Sequence, residues 1–227
     1  MLELNCHAIL FDLDGVLVDS TACVERHWRV WATRYGLDAE LILAHSHGKR
    51  SIDTLRAVAS HLDLDLEREA RLLELEETQD LEGIVATPGA LELVTALPSE
   101  CWAIVTSATR GMAVARLEAV GLPIPGVFVT AEAVHEGKPH PEGYLKAASL
   151  LGATPRDCLV IEDAPAGIQA ARAGDIRVLA LTTTFPAEKL YAADTVTSGL
   201  QSLGLTVTRD QTQRLPWLTL RIGTSKE

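Results

Sequence analysis

His7-Ala8-Ile9-Leu10-Phe11-Asp12-Leu13-Asp14-Gly15-Val16-Leu17-Val18-Asp19-Ser20 is the stretch from which the fold is read. Its apolar run Ala8 to Phe11 has the character of a parallel strand buried on both faces. The run ends in two carboxylates, Asp12 and Asp14, one residue apart and followed by Gly15. In a doubly wound α/β sheet the carboxyl end of a strand is where ligands gather. Gly15 marks a chain already turning, so the two carboxylates fan around one small centre and repel unless a cation or a shared proton intervenes. A strand-end turn that simply carries aspartates is the plain alternative.

Working outward, residues 21–80 read as helices only. Val24, Trp28, Trp31 and Tyr35 form one apolar stripe that Gly36 stops. A short helix follows near Ala39 to Ala44, then one with Ile52, Leu55, Ala59 and Leu62 inward, and one with Leu66, Ala70 and Leu73 inward. The aromatic stripe is read as bundle interior. The charges Glu67, Arg68, Glu69, Arg71, Glu74, Glu76 and Glu77 are read as solvated surface. From Gly83 onward strand and helix alternate: strands at Trp102–Thr106, Val127–Thr130, Cys158–Ile161 and Arg177–Leu181, with helices ending at Leu97, over Met112–Val120, over Glu142–Leu151 and over Gly167–Ala173. That alternation implies right-handed crossovers and a parallel sheet. The expected architecture is therefore an α/β core of residues 1–18 and 86–227, with a helical insertion over 19–85. Asp194 to Val196 is a candidate last strand, and Leu205–Thr208 with Trp217–Ile222 a candidate hairpin on an edge.

Three further strand ends carry polar groups. Thr106-Ser107-Ala108-Thr109 offers hydroxyls and free N–H groups, suited to phosphate oxygens or to capping a helix. Gly137-Lys138-Pro139-His140-Pro141-Glu142 presents an ammonium on a loop stiffened by two prolines. Glu162-Asp163-Ala164-Pro165-Ala166-Gly167 again puts carboxylates at a strand terminus. Asp12, Asp14, Glu162 and Asp163 thus converge, and such a cluster repels itself without a cation.

Phe11 through Ser20 resembles the first motif of the haloacid dehalogenase superfamily. The later strand ends resemble its remaining motifs in the expected order, over essentially the whole chain. The resemblance implies a Rossmann-like core, magnesium and an aspartyl-phosphate intermediate. It implies Asp12 as nucleophile, Asp14 as general acid and base, and Ser107, the Ala108 N–H and Lys138 on the phosphate. Asp12, the Asp14 carbonyl and Asp163 become metal ligands, with Glu162 a direct or water-mediated member. Ser46-His47-Gly48-Lys49 and the other motifs look like those of glycerol-3-phosphatases and hexitol or sugar phosphatases, in which a helical cap follows the first motif. In the cap loop, His47, Lys49 and Arg50 are candidates for reading the substrate; solvated helix-start cations are the alternative. His45 and His47 lack the further ligand a metal pair needs.

The expected function is hydrolysis of small sugar or polyol phosphates. A β-phosphoglucomutase-like enzyme would carry a proton-moving histidine where counting from the first motif places Val24. A phosphoglycolate phosphatase and a catalytically silent small-molecule-binding module compete with that expectation. The chain of 227 residues, 47% hydrophobic, is long enough for one core and a satellite. A net charge of -11 argues against nucleic acid or an anionic membrane as partner. Cys6, Cys23, Cys101 and Cys158 form no C-x-x-C pair and suit reduced thiols. Without a signal-like start or a spanning apolar run, the expectation is a soluble, cytoplasmic protein. The resembled architecture implies a monomer acting on a small phosphorylated metabolite.

Overall fold

The computed structural model describes residues 2–210, 212 and 214–223. The chain opens with strands β1 (Leu2–Cys6), β2 (Ala8–Phe11) and the two-residue β3 (Val18–Asp19). Helices α1 (Thr21–Tyr35), α2 (Ala39–Ser46), α3 (Ser51–Ala59) and α4 (Leu66–Gln79) follow, closed by β4 (Val85–Ala86). Next come α5 (Ala90–Ala96), β5 (Trp102–Val105), α6 (Arg110–Ala119), β6 (Val127–Val129), α7 (Glu142–Leu151), β7 (Cys158–Glu162), α8 (Pro165–Ala173) and β8 (Arg177–Leu181). Strands β9 (Thr195–Thr197), β10 (Leu203–Thr208) and β11 (Trp217–Ile222) complete it.

The main sheet is parallel throughout, in the order β6-β5-β2-β7-β8-β9. All four residues of β2 are fully buried because the strand is covered on both sides. Ile9 and Phe11 point into one core with α5 and α6; Ala8 and Leu10 point into the other with α7 and α8. That period of two explains why the run reads as unbroken apolar sequence. Burial of each such large side chain is worth about 1.5–3 kcal/mol, so the central strand is firmly anchored. The chain leaves β2 toward β5 and β6, then returns past it to β7, β8 and β9. The carboxyl end of β2 is thus the point where strand order reverses, and a crevice opens there.

The four helices α1 to α4 enclose their own apolar cluster, with Trp28 and Trp31 edge to face at 6.0 Å between ring centres. The chain enters and leaves this bundle through β3 and β4, which pair antiparallel, Val18 opposite Ala86 and Asp19 opposite Val85. These two chain crossings, paired by a two-residue ladder, are the whole covalent neck. Gly36 ends α1 in the left-handed conformation, at φ 65°.

The tail corrects the expected edge hairpin. Strands β10 and β11 do pair, but with β1 in a separate antiparallel sheet of order β1-β11-β10 that packs on the α5/α6 face. Leu2, Leu4 and Cys6 alternate with Glu3 and Asn5 as in a half-buried strand, but the partner lies at the other end of the chain and leaves no local trace. All four cysteines are free and buried. No helix among the described residues is long and apolar enough to cross a membrane.

Candidate active site

Asp12 lies one residue past β2, where its N–H donates to the Ile161 carbonyl of β7 at 3.0 Å. That bond sets its side chain beside the end of β7. Lys138 Nζ stands 2.8 Å from Asp12 Oδ1 and 2.7 Å from Glu162 Oε1. Glu162 is fully buried and saturated: Oε1 also accepts from the Tyr144 hydroxyl at 3.0 Å, and Oε2 from the N–H groups of Asp163 at 2.8 Å and Ala164 at 2.9 Å. A side chain at Gly167 would collide with the Glu162 carboxylate, so this α8 glycine makes room for it. Gly15, at φ +81°, does the same for Asp163.

Carboxylate oxygens of Asp12, Glu162 and Asp163 lie within 4.8 Å of one another. Burial pushes Asp12 up to about 7, against the pull of Lys138. Burial, followed by Glu162 and Asp12, raises Asp163 well above the carboxylate range. Burial works against the Lys138 charge, yet Asp12 and Glu162 outweigh it and hold the ammonium protonated. With one cation among three buried carboxyl groups, all three could be ionised together only if a second cation joined them. Asp163 Oδ1 is buried without a hydrogen-bond partner. An orphaned carboxylate oxygen in an all-oxygen donor set fits a hard divalent cation, with Asp12 and Asp163 as the available donors.

Asp14 stands at the mouth of the same cavity. Its Oδ1 accepts from Ser20 Oγ and from Arg116 Nη1, each at 2.7 Å. Arg116, on α6, sends Nη2 to Glu77 Oε2 of α4 at 2.7 Å, and only 2% of its side chain is exposed. Glu77, expected on solvated surface, is buried. The α4 stripe Ala70, Leu73 continues at helical spacing onto Glu77, which is the signal that locates it; α6 likewise carries Arg116 between buried Ala113 and Leu117. Glu74 also departs from the surface reading: it lines the cavity, one turn before Glu77.

At the end of β5 the two roles open to the hydroxyl run separate. Thr109 caps α6 by accepting from the Met112 N–H at 3.4 Å, while Ser107 faces the cavity and donates to the Gly48 carbonyl of the bundle at 3.0 Å. The Ala108 N–H donates to Thr106 Oγ1 at 3.0 Å. His47 and Lys49 line the cavity. His47 packs edge to face on Phe185, and burial lowers its proton affinity. Lys49 makes no ion pair among the described residues. Arg50 lies in a neighbouring pocket beside Lys138, held by Asp53 at 2.6 Å and the His135 carbonyl at 3.1 Å, and is not brought to Asp12. Val24 and Trp28 of α1 complete the wall.

A parallel sheet whose switch point gathers buried carboxylates and one lysine, under a bundle of helices, defines an α/β enzyme that works with carboxylate chemistry. The chain belongs to the haloacid dehalogenase-like hydrolases, whose family model matches residues 6–175. It is 44% identical over 206 residues to hexitol phosphatase A of Escherichia coli, covering 89% of this chain and 95% of that protein. It is 37% identical over 196 residues to glycerol-1-phosphate phosphohydrolase 2 of Saccharomyces cerevisiae, covering 81% and 78%. A crystal structure of a hydrolase from Pseudomonas syringae superposes with a TM-score of 0.76 at 29% identity, over 86% of this chain and 94% of that one.

Proposed function

We propose that this protein is a magnesium-dependent phosphatase that hydrolyses small sugar or polyol phosphate monoesters through a phosphorylated Asp12. The observation that carries the reading is the meeting of Asp12, Lys138 and Asp163, with its orphaned Oδ1, at the switch point of the sheet. Relatives named for hexitol and glycerol phosphates support the substrate class.

Asp12, the Asp14 carbonyl and Asp163 would hold the ion, while Glu162, with its oxygens saturated, anchors Lys138 and stays out of the coordination sphere. When bound, magnesium supplies positive charge against the non-bridging oxygens of the phosphate. Uncatalysed hydrolysis of phosphate monoesters calls for rate enhancements up to ~10²¹, so positioning and charge must act together. Lys138 occupies Asp12 Oδ1, and Oδ2, which makes no hydrogen bond among the described residues, attacks phosphorus. As that bond forms, the bond to the ester oxygen breaks, and Asp14 Oδ2 gives the leaving alkoxide a proton. Asp14 then takes a proton from the water that hydrolyses the aspartyl phosphate. The phosphate draws the Ser107 hydroxyl from Gly48 and the Ala108 N–H from Thr106.

Residues 19–85 act as a cap over the core of residues 1–18 and 86–227, and His47 and Lys49 face the alcohol part of the substrate. Apolar Val24, Trp28 and Met112 beside polar Thr21, Ser51 and Glu74 suit the alternating C–H and O–H faces of a polyol. Val24, which moves no proton, favours hydrolysis over a mutase reaction. The acidic net charge and four buried thiols suit a cytoplasmic enzyme. Asp12→Asn should lower kcat on polyol phosphates by at least ~10³-fold with the circular dichroism melt retained. Phosphate release by that variant near the wild-type rate would end the nucleophile assignment.

A further inference from the structure

We infer that Arg116 is a positioning residue for Asp14, and that Glu77 makes its action depend on the helical bundle being seated over the sheet. The inference rests on the reading of Asp14 as the acid of the reaction. Both donors that reach Asp14, Ser20 Oγ and Arg116 Nη1, use the same oxygen, Oδ1. Among the described residues Oδ2 takes none, so the carboxylate is pinned at one end and free at the other, toward the cavity.

A guanidinium beside a carboxylate ordinarily closes on both oxygens as a two-pronged fork. Here it does not, because its second prong is taken by Glu77 at 2.7 Å. Arg116 and Glu77 are 2% and 5% exposed, so water competes little for either. Arg116 belongs to α6 of the sheet unit, whereas Glu77 belongs to α4 of the bundle, and the two units are joined covalently only through β3 and β4. With the bundle seated, Glu77 turns one prong of Arg116 away from Asp14 and leaves Oδ2 open for proton transfer. With the bundle lifted, Glu77 departs and the fork closes on both oxygens of Asp14. The acid is thereby available only over an enclosed substrate, shielded from bulk water during transfer to Asp12.

The test compares two esters by kcat/KM, which reports steps up to departure of the alcohol. Glycerol phosphate has a poor leaving group and needs the acid; p-nitrophenyl phosphate has a good one and needs it little. Asp14→Asn sets the scale by lowering the glycerol-to-nitrophenyl ratio. Arg116→Met and Glu77→Leu should each lower that ratio by about ten-fold or more. A merely structural role would lower both esters together. Because either single change strands a buried charge, the double variant Arg116→Met/Glu77→Leu, which strands no charge between them, provides a folded control and should show a ratio no lower than Arg116→Met alone. A folded double variant with the wild-type ratio overturns the inference while Asp14 keeps its role. An unchanged ratio in Asp14→Asn overturns both.

Discussion

Two buried cations in this molecule each sit between two carboxylates, and they are built differently. Lys138 bridges Asp12 and Glu162, all three supplied by the sheet unit, and its glutamate partner is held further by Tyr144 and two backbone N–H groups. Arg116 bridges Asp14 of the sheet unit and Glu77 of the bundle, and its Nε is buried without a partner. The first arrangement is held entirely within the sheet unit; the second is complete only where α4 rests on α6. Charge that must be preorganised for phosphoryl transfer is fixed within one unit. On the proposed mechanism, charge that responds to enclosure of the substrate is divided between two.

The sharpest way to break the comparison is Lys138→Met. It leaves Asp12 and Glu162 buried and unpaired, so stability should fall by about 3–5 kcal/mol in urea unfolding. Turnover of every phosphate ester should fall on the order of 10²–10³-fold, with no preference for the leaving group. A selective loss on alkyl esters, of the kind expected for Arg116→Met, would erase the distinction between the clusters.

A smaller effect concerns the ion. Magnesium at about 100 times its dissociation constant should stabilise the protein by about 2.7 kcal/mol, a rise of several degrees in Tm. Asp163→Asn should abolish that rise, since it removes the carboxylate whose Oδ1 lacks a partner. Glu77→Gln should leave it intact. A magnesium-dependent rise that persists in Asp163→Asn would place the ion elsewhere.

The cluster held within the sheet unit was legible in the sequence; of the divided one only Asp14 was. A strand buried on both faces writes itself as Ala8 to Phe11, and glycine marks where it stops, so Asp12, Asp14, Ser107, Glu162 and Asp163 fall at or just past strand ends. Lys138, well beyond the end of β6 at Val129, is instead singled out by the family resemblance of its loop. Arg116 and Glu77 are charged residues at inward helical positions, and charge ordinarily signals the outer face. Only strict continuation of the Ala70, Leu73 spacing distinguishes Glu77 from its solvated neighbour Glu76. The pairing of β11 with β1 joins residues from opposite ends of the chain, and no local pattern encodes such a partner.

A third pairing tests whether burial is what gives the first two their weight. At the base of the bundle Asp80 accepts from Arg26 Nη2 at 2.6 Å and lies 3.0 Å from His27 Nε2, but its side chain is 26% exposed and that of Arg26 40%. The Arg26 hydrogen bond holds Asp80 down at about 2, below the ordinary value of 3.8. A carboxyl depressed on folding stabilises the native state above its unfolded value and loses that contribution as pH falls through the folded one. Water and salt screen the pair, so Asp80→Asn should cost only about 0.5–1 kcal/mol near pH 7. The difference between variant and wild type should shrink as the pH is lowered from about 4 toward about 2, where the wild-type carboxylate is itself protonated. Urea unfolding at the two ends of that window measures it. A cost as large as that of Lys138→Met would mean that pairing geometry, and not withdrawal from water, sets the energy of all three clusters.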